Sequence, residues 1–411
     1  MKKQITLLMA VFSLTAMAQR KCATMDKVHE RMANDPAFAE KHKEMMDYIH
    51  NPQTPRNVFN RGINQPATVV TIPVVFHVLY ANSSQNVTDA QIQTQLDVLN
   101  KDYRKLNTDF TAVVPAAFRP FAADMEIVFC KATRTPAGVA STGIVRKQVT
   151  ASFNMETSYY KTSGDPAWDP SKYLNVWIGN LGSTILGFAY LPGDAPTTGE
   201  DGLCINYTAF GTTGTAVAPF NKGRTATHEI GHYFGLDHPW GDGSCNGDDG
   251  VADTPATYQE YYNCPTFPSN TYACTSTTNG SMFMNYMDYV DDACMAFFTA
   301  GQKTVVQATL SGPRVSLLTS NGCAALGLNE VEAIQAIACY PNPASKYFMI
   351  SSPQTQIDEV EIFNDLGQLV KTQKLTQVNN EINIESLATG TYYLRIYNQG
   401  EFVKSDKIIK K

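Results

Sequence analysis

The stretch His228-Glu229-Ile230-Gly231-His232-Tyr233-Phe234-Gly235-Leu236-Asp237-His238 brings three imidazoles and a carboxylate into one short run. On a helix, His228 and His232 stand one turn apart, so both rings can reach a single ion from the same face. Glu229 lies beside them, placed to take a proton from an attacking water rather than to bind the metal. His238 is needed from a different direction, so the helix must stop before it. Gly235 suits that stop, because a residue without a Cβ takes a left-handed conformation cheaply. Three neutral imidazoles leave one tetrahedral position open, which is the donor set of a catalytic zinc. A structural zinc would have a fourth protein ligand and often cysteines. With this composition, HExxH followed by both Gly235 and His238 arises by chance on the order of one time in 100,000.

The elements that must position this run can be read around it. Thr71 to Tyr80 is a strand, and Met125 to Phe129 and Leu174 to Ile178 read as further strands. Asp89 to Tyr103 has helical spacing through Ile92, Leu96 and Leu99, with Thr88 as its N-cap. His77 falls inside the first strand and reads as a satisfied structural histidine. Leu186 to Leu191 is a short apolar run containing Gly187. It reads as a sheet edge above the cleft, open to an extended peptide by strand addition.

The 411-residue length argues for two or three domains, and the formal net charge of −6 without a basic run gives no nucleic-acid footprint. Lys2 and Lys3, the apolar stretch Ile5 to Leu14 and Ala16-Met17-Ala18 form a signal peptide over 1–18. That stretch is too short for a transmembrane anchor, and no later segment is long and apolar enough to span a bilayer. The chain is thus expected to be secreted or held at the cell surface, where disulfides persist. Residues 19–55 have weak helical spacing and no strand pattern, end in a proline-punctuated stretch, and read as a propeptide. Arg56 and Arg61 lie at its boundary. Residues 56–325 form the catalytic unit, 326–335 a linker, and 336–411 a small all-β module of short alternating strands.

Nine cysteines leave at least one unpaired. Cys245, Cys264, Cys274 and Cys294 crowd behind the metal run and read as loop staples, with three connectivities open to them. Cys22, in Arg20-Lys21-Cys22, offers a thiolate as fourth zinc ligand, a lipid attachment site or a stray thiol. No lipobox precedes it.

The run 228–238 and Met284-Asn285-Tyr286-Met287-Asp288-Tyr289 resemble the metzincin metallopeptidases, whose pattern has a methionine turn beneath the metal. A gluzincin would need a glutamate where His238 stands. His238-Pro239-Trp240, Asp249-Gly250-Val251-Ala252-Asp253-Thr254-Pro255 and Asp291-Asp292-Ala293-Cys294-Met295 narrow the resemblance to the pappalysins, especially their cytophagalysin- and ulilysin-like members. The resemblance implies an α+β catalytic domain with a twisted, five-stranded, mostly parallel sheet above the active-site helix. It implies a zinc endopeptidase acting on protein and peptide substrates, with Glu229 as general base and Met287 as an apolar floor. It also implies Tyr289 as the group that stabilises the oxyanion. The same resemblance implies disulfides Cys245–Cys274 and Cys264–Cys294 and a calcium loop with Asp249 and Thr254 as side-chain ligands. It makes Cys22 a latency switch, and it places Asp291 and Asp292 near the pocket for the residue after the cut, where a carboxylate favours Arg or Lys.

Tyr340-Pro341-Asn342-Pro343-Ala344, Phe363-Asn364-Asp365-Leu366-Gly367, Gly390-Thr391-Tyr392-Tyr393 and Lys407-Ile408-Ile409-Lys410-Lys411 resemble a Bacteroidetes type IX sorting domain. That implies a sandwich-like β domain that engages the secretion machinery. A fibronectin-like or carbohydrate-binding accessory module is the rival reading.

Overall fold

The computed structural model describes residues 21–51, 69–324, 337–352, 357–376, 380–398 and 401–411. The expected signal peptide, the 55/56 boundary with Arg56 and Arg61, and the linker 326–335 lie outside them. The chain divides into two compact units, Met1–Ala324 and Ala325–Lys411.

The first unit is built on one sheet. Its strands are β1 (Lys21–Cys22), β2 (Val70–Tyr80), β3 (Ile127–Lys131), β4 (Ile144–Gln148), β5 (Leu174–Gly179), β6 (Ile185–Ala189) and β7 (Leu203–Asn206). Their order is β1-β6-β7-β5-β2-β3, with β4 also paired to β2. All pairings are parallel except β6 with β7. Parallel strands are covered on both faces, which explains why β2, apolar from Ile72 to Leu79 except for His77, is buried without a break over that span. The resemblance implies five strands, and the sheet has seven among the described residues.

Helices α1 (Thr24–Asn34), α2 (Pro36–His50), α3 (Asp89–Asp102), the short α4 (Phe110–Val113) and α5 (Met155–Ser158), α6 (Arg224–Tyr233) and α7 (Ala300–Ser311) complete the unit. The Thr88 side chain caps α3 by accepting from Gln91 N at 3.2 Å, and Ile92, Leu96 and Leu99 face the core. Asp35 separates α1 from α2 and caps the latter, accepting from Phe38 N at 3.0 Å, with Pro36 in the first turn. His77 is buried with both ring nitrogens engaged, Nδ1 by Asp165 Oδ2 at 2.5 Å and Nε2 by Asn175 Oδ1 at 3.0 Å.

Two features depart from the sequence reading. The N-terminal segment carries no strand pattern, yet Lys21–Cys22 forms a strand parallel to β6. Strand pairing here needs only backbone groups, so no side-chain alternation announces it. The β6 edge, read as open, is therefore occupied by the chain's own residues.

The second unit has β8 (Ala338–Tyr340), β9 (Tyr347–Ser351), β10 (Glu359–Phe363), β11 (Leu369–Lys374), β12 (Glu381–Asn383), β13 (Gly390–Asn398) and β14 (Glu401–Lys410). They form sheets ordered β11-β10-β13-β14 and β12-β9-β8, around a core that includes Phe348, Ile350, Ile362, Leu394 and Ile396. The β10–β11 turn uses Gly367 at φ 76°, and Asn364 Oδ1 accepts from Leu366 N and Gln368 N.

Candidate active site

Helix α6 carries His228, Glu229 and His232, all buried. It ends after Tyr233. Gly235 takes φ 90°, its N–H reaches His232 O at 2.8 Å, and Leu236 N returns to Gly231 O at 3.0 Å. That left-handed turn swings His238 back over the helix.

The three Nε2 atoms lie 3.0, 3.1 and 3.2 Å from one another. His228 Nδ1 faces Tyr286 O at 2.7 Å, and His232 Nδ1 faces Leu236 O at 2.7 Å. A carbonyl only accepts, so Nδ1 carries the proton in both rings and Nε2 presents a lone pair. Burial lowers the pKa of all three histidines, to about 4 for His228, which keeps the rings neutral. Buried lone pairs converging on one point repel unless a cation sits between them. Nitrogens about 3.3 Å apart are what tetrahedral zinc at about 2.05 Å requires, so the donor set fits that ion. Cys22 Sγ completes the group, with all four ligand atoms within 4.8 Å of one another.

Several residues hold these ligands. Trp240 stacks on His238, ring centroids 4.3 Å apart and planes 8° apart. Met287 packs under α6 so closely that a Cβ at Gly231 would strike its sulfur. The methionine turn is itself tied down: Asn285 and Gln302 exchange two side-chain hydrogen bonds at 2.8 and 3.0 Å, and Met287 N donates to Asn285 Oδ1 at 2.9 Å.

Glu229 is fully buried and raised to about 8, chiefly by desolvation, while hydrogen bonds from Cys22 and Thr24 pull the other way. Its Oε2 accepts from Thr24 Oγ1 at 3.0 Å and from Cys22 Sγ at 3.3 Å; its Oε1 has no partner. Burial pushes the Cys22 thiol well up, helped by the Glu229 charge. A cation at the centre acts oppositely on both groups. Tyr289 donates its phenolic hydrogen to Cys22 O at 3.1 Å. Thr24 was not legible from sequence: a threonine two residues after a cysteine carries no signal until the fold places it against Glu229.

Asp292 and Asp291 part company. Asp292 is buried and lines the cleft beside His228 and Glu229, together with Leu186 and Thr225. Its Oδ2 accepts from Lys222 N at 2.7 Å and Arg224 N at 3.3 Å, so it also caps α6; burial raises it to about 6. Asp291 is part-exposed and outside that lining.

Asp249 and Thr254 meet in the loop after His238. Thr254 Oγ1 lies 2.8 Å from both Asp249 carboxylate oxygens and 2.7 Å from Val251 O. Burial holds the Asp249 carboxyl well above its usual range, and Asp237 and Asp248 add to the rise. Disulfides Cys245–Cys274 and Cys264–Cys294 brace this region, and Cys130–Cys323, unassigned from sequence, ties β3 to the end of the unit. Cys22, Cys204 and Cys339 are free thiols.

Residues 159–311 match the peptidase family described as pregnancy-associated plasma protein-A, and residues 338–411 match the secretion system C-terminal sorting domain. An extracellular metalloprotease of Arthroderma benhamiae is 33% identical over 57% of this chain and 74% of its own length. One from Colletotrichum graminicola is 30% identical over 74% of this chain and 94% of its own. Among solved structures, a Tannerella forsythia promirolysin variant is 38% identical, covering 72% of this chain and 96% of its own, with TM-score 0.64. Mature mirolysin in complex with a cleaved peptide is 44% identical, covering 62% and 97%, with TM-score 0.58.

Proposed function

Because the chain belongs to the pappalysin family of zinc metalloproteases, we propose that it is a secreted endopeptidase made latent, which cuts proteins before arginine or lysine. Membership carries the reaction, hydrolysis of internal peptide bonds; the residue roles, latency device, specificity and export route are the proposal.

His228, His232 and His238 would hold the zinc, which when bound supplies a Lewis acid for the scissile carbonyl and the attacking water. Glu229 takes the proton from that water and passes it to the leaving amine. Tyr289 donates its phenolic hydrogen to the carbonyl oxygen as negative charge builds there. Met287 keeps the ligand helix seated. The substrate lies along β6 as an added strand, its backbone positioned by the sheet edge. The observation that carries this reading is the convergence of three buried imidazole lone pairs beside a carboxylate and a phenol already donating to a carbonyl.

Residues 19–55, of which 21–51 are described, act as the propeptide. Cys22 offers a thiolate in the fourth position, and with Thr24 it ties up Glu229. A solved precursor among the similar structures supports the latency. For specificity, Asp292 supplies the carboxylate of the pocket, and its place in the cleft lining favours it over Asp291. For calcium, the Asp249 carboxylate, Thr254 Oγ1 and Val251 O form a hard-oxygen set around a buried acid whose pKa burial and the neighbouring Asp237 and Asp248 push up. A calcium ion would supply the countercharge. The C-terminal unit, matching a sorting domain, would address the chain to the type IX secretion machinery after the signal over 1–18 has started export. Among the described residues, no helix is long and apolar enough to cross a membrane.

The test is cleavage-site profiling of the mature enzyme and its Asp292→Asn variant on a peptide library. Cuts before Arg and Lys that lose their preference in the variant support the specificity reading. An unchanged profile removes Asp292 from it.

A further inference from the structure

The contact at the metal ligands is one of several by which residues 21–51 grip the rest of the first unit. At the far end of α2, Ile49 is fully buried and belongs to the main hydrophobic cluster of the unit. Its Cδ1 sits so near Gly235 that a Cβ there would collide with it, and Thr309 and Pro192 close the same hole. The next residue, His50, sets Nε2 3.1 Å from Gly235 O. Between the two ends, Met25 and Val28 of α1 pack on Leu191 with Met46 of α2. Asp194, almost wholly buried, gathers both helices: Arg31 Nη1 donates to its backbone oxygen at 2.5 Å, and His42 Nδ1 lies 2.8 Å from its Oδ2. None of these contacts uses an imidazole of the metal site.

We infer that the surface formed by Leu191, Pro192, Asp194 and Gly235 is a second, metal-independent docking site whose occupant is the α1–α2 hairpin, anchored by Ile49. This rests on the propeptide reading above and deepens it. A cut in the segment 52–68 breaks the covalent link but neither anchor, so the hairpin stays bound as a non-covalent inhibitor. Losing the Cys22 thiol frees one end only. Release requires the hairpin itself to be destroyed or Ile49 to be dislodged, and the surface then laid bare fits a helix bearing an aliphatic side chain with a basic one near it.

The test uses the full chain carrying Glu229→Gln, to stop self-cleavage, and a recognition sequence for an unrelated site-specific protease inserted within 52–68. After the cut, gel filtration reads how much N-terminal fragment travels with the rest. With Cys22→Ser the fragment should stay bound; with Cys22→Ser and Ile49→Asp together it should elute alone. If Ile49→Asp misfolds, as far-ultraviolet dichroism and zinc content would reveal, Ile49→Ala replaces it. Truncating a buried isoleucine should then raise the fragment's dissociation rate roughly 30-fold or more. Loss of the fragment with Cys22→Ser alone, as complete as in the double variant, overturns the inference. Retention is read without catalysis, whereas latency is read from hydrolysis by uncut chains with native Glu229, so the two readings fail separately.

Discussion

The phenol of Tyr289 donates to the backbone carbonyl of Cys22 at 3.1 Å, so a peptide carbonyl already lies within reach of the group assigned to the oxyanion. Cys22 also runs beside β6, in register with Gly187, where an added substrate strand would lie. The N-terminal segment thus fills the site with peptide backbone while its thiol and Thr24 hydroxyl occupy Glu229.

If that hydrogen bond is the one strengthened as the carbonyl gains charge, Tyr289→Phe should lower kcat about 100-fold with little change in KM. Steady-state kinetics on the mature enzyme check this. Equal losses in binding and turnover would assign Tyr289 to packing.

Gly187 leaves room for Glu229, proposed above as the general base. A Cβ there would meet Glu229 Cγ and Oε1 at 2.9 Å, and Cys204 O at the same distance. Gly187→Ala should therefore shift the carboxylate and cost roughly 10- to 100-fold in kcat, with zinc content unchanged. A variant of normal turnover would show that the strand yields instead.

The ligand run was legible because its chemistry is local: helix spacing sets His228 and His232, and Gly235 marks the turn that delivers His238. The strands and α3 were legible from apolar periodicity and the Thr88 cap. What single-sequence reasoning could not reach was pairing across distance. The β1–β6 pairing is made by backbone groups, Thr24 meets Glu229 from 205 residues away in the chain, and Cys130–Cys323 joins residues 193 apart in sequence. Asp291 and Asp292 were indistinguishable as text, and only the packing around α6 separates them.

Burial raises Asp292 to about 6, so it is an anion above that pH and neutral below. The preference for arginine over leucine after the cut should decay as pH falls through 6, measured as the ratio of kcat/KM values. Stability follows the opposite sense. An unfolded aspartate titrates near 3.9, so the folded state holds this proton more tightly. Its stabilising contribution is complete below about 4 and lost as pH rises through 6. Asp292→Asn should flatten that part of the melting-temperature profile.

Chelation should separate the two metals. A zinc-selective chelator should abolish activity, restored by zinc, with small loss of fold. Removing calcium should lower the melting temperature, and Asp249→Asn should reproduce that drop and abolish the calcium response. A melting temperature indifferent to calcium in the parent chain would remove the ion from the loop.

The most direct test compares the mature enzyme with Glu229→Gln on a denatured protein substrate, each shown to carry one zinc. The account predicts full cleavage by the parent and a rate at least about 100-fold lower in the variant. A zinc-loaded variant that cuts as fast as its parent would contradict it.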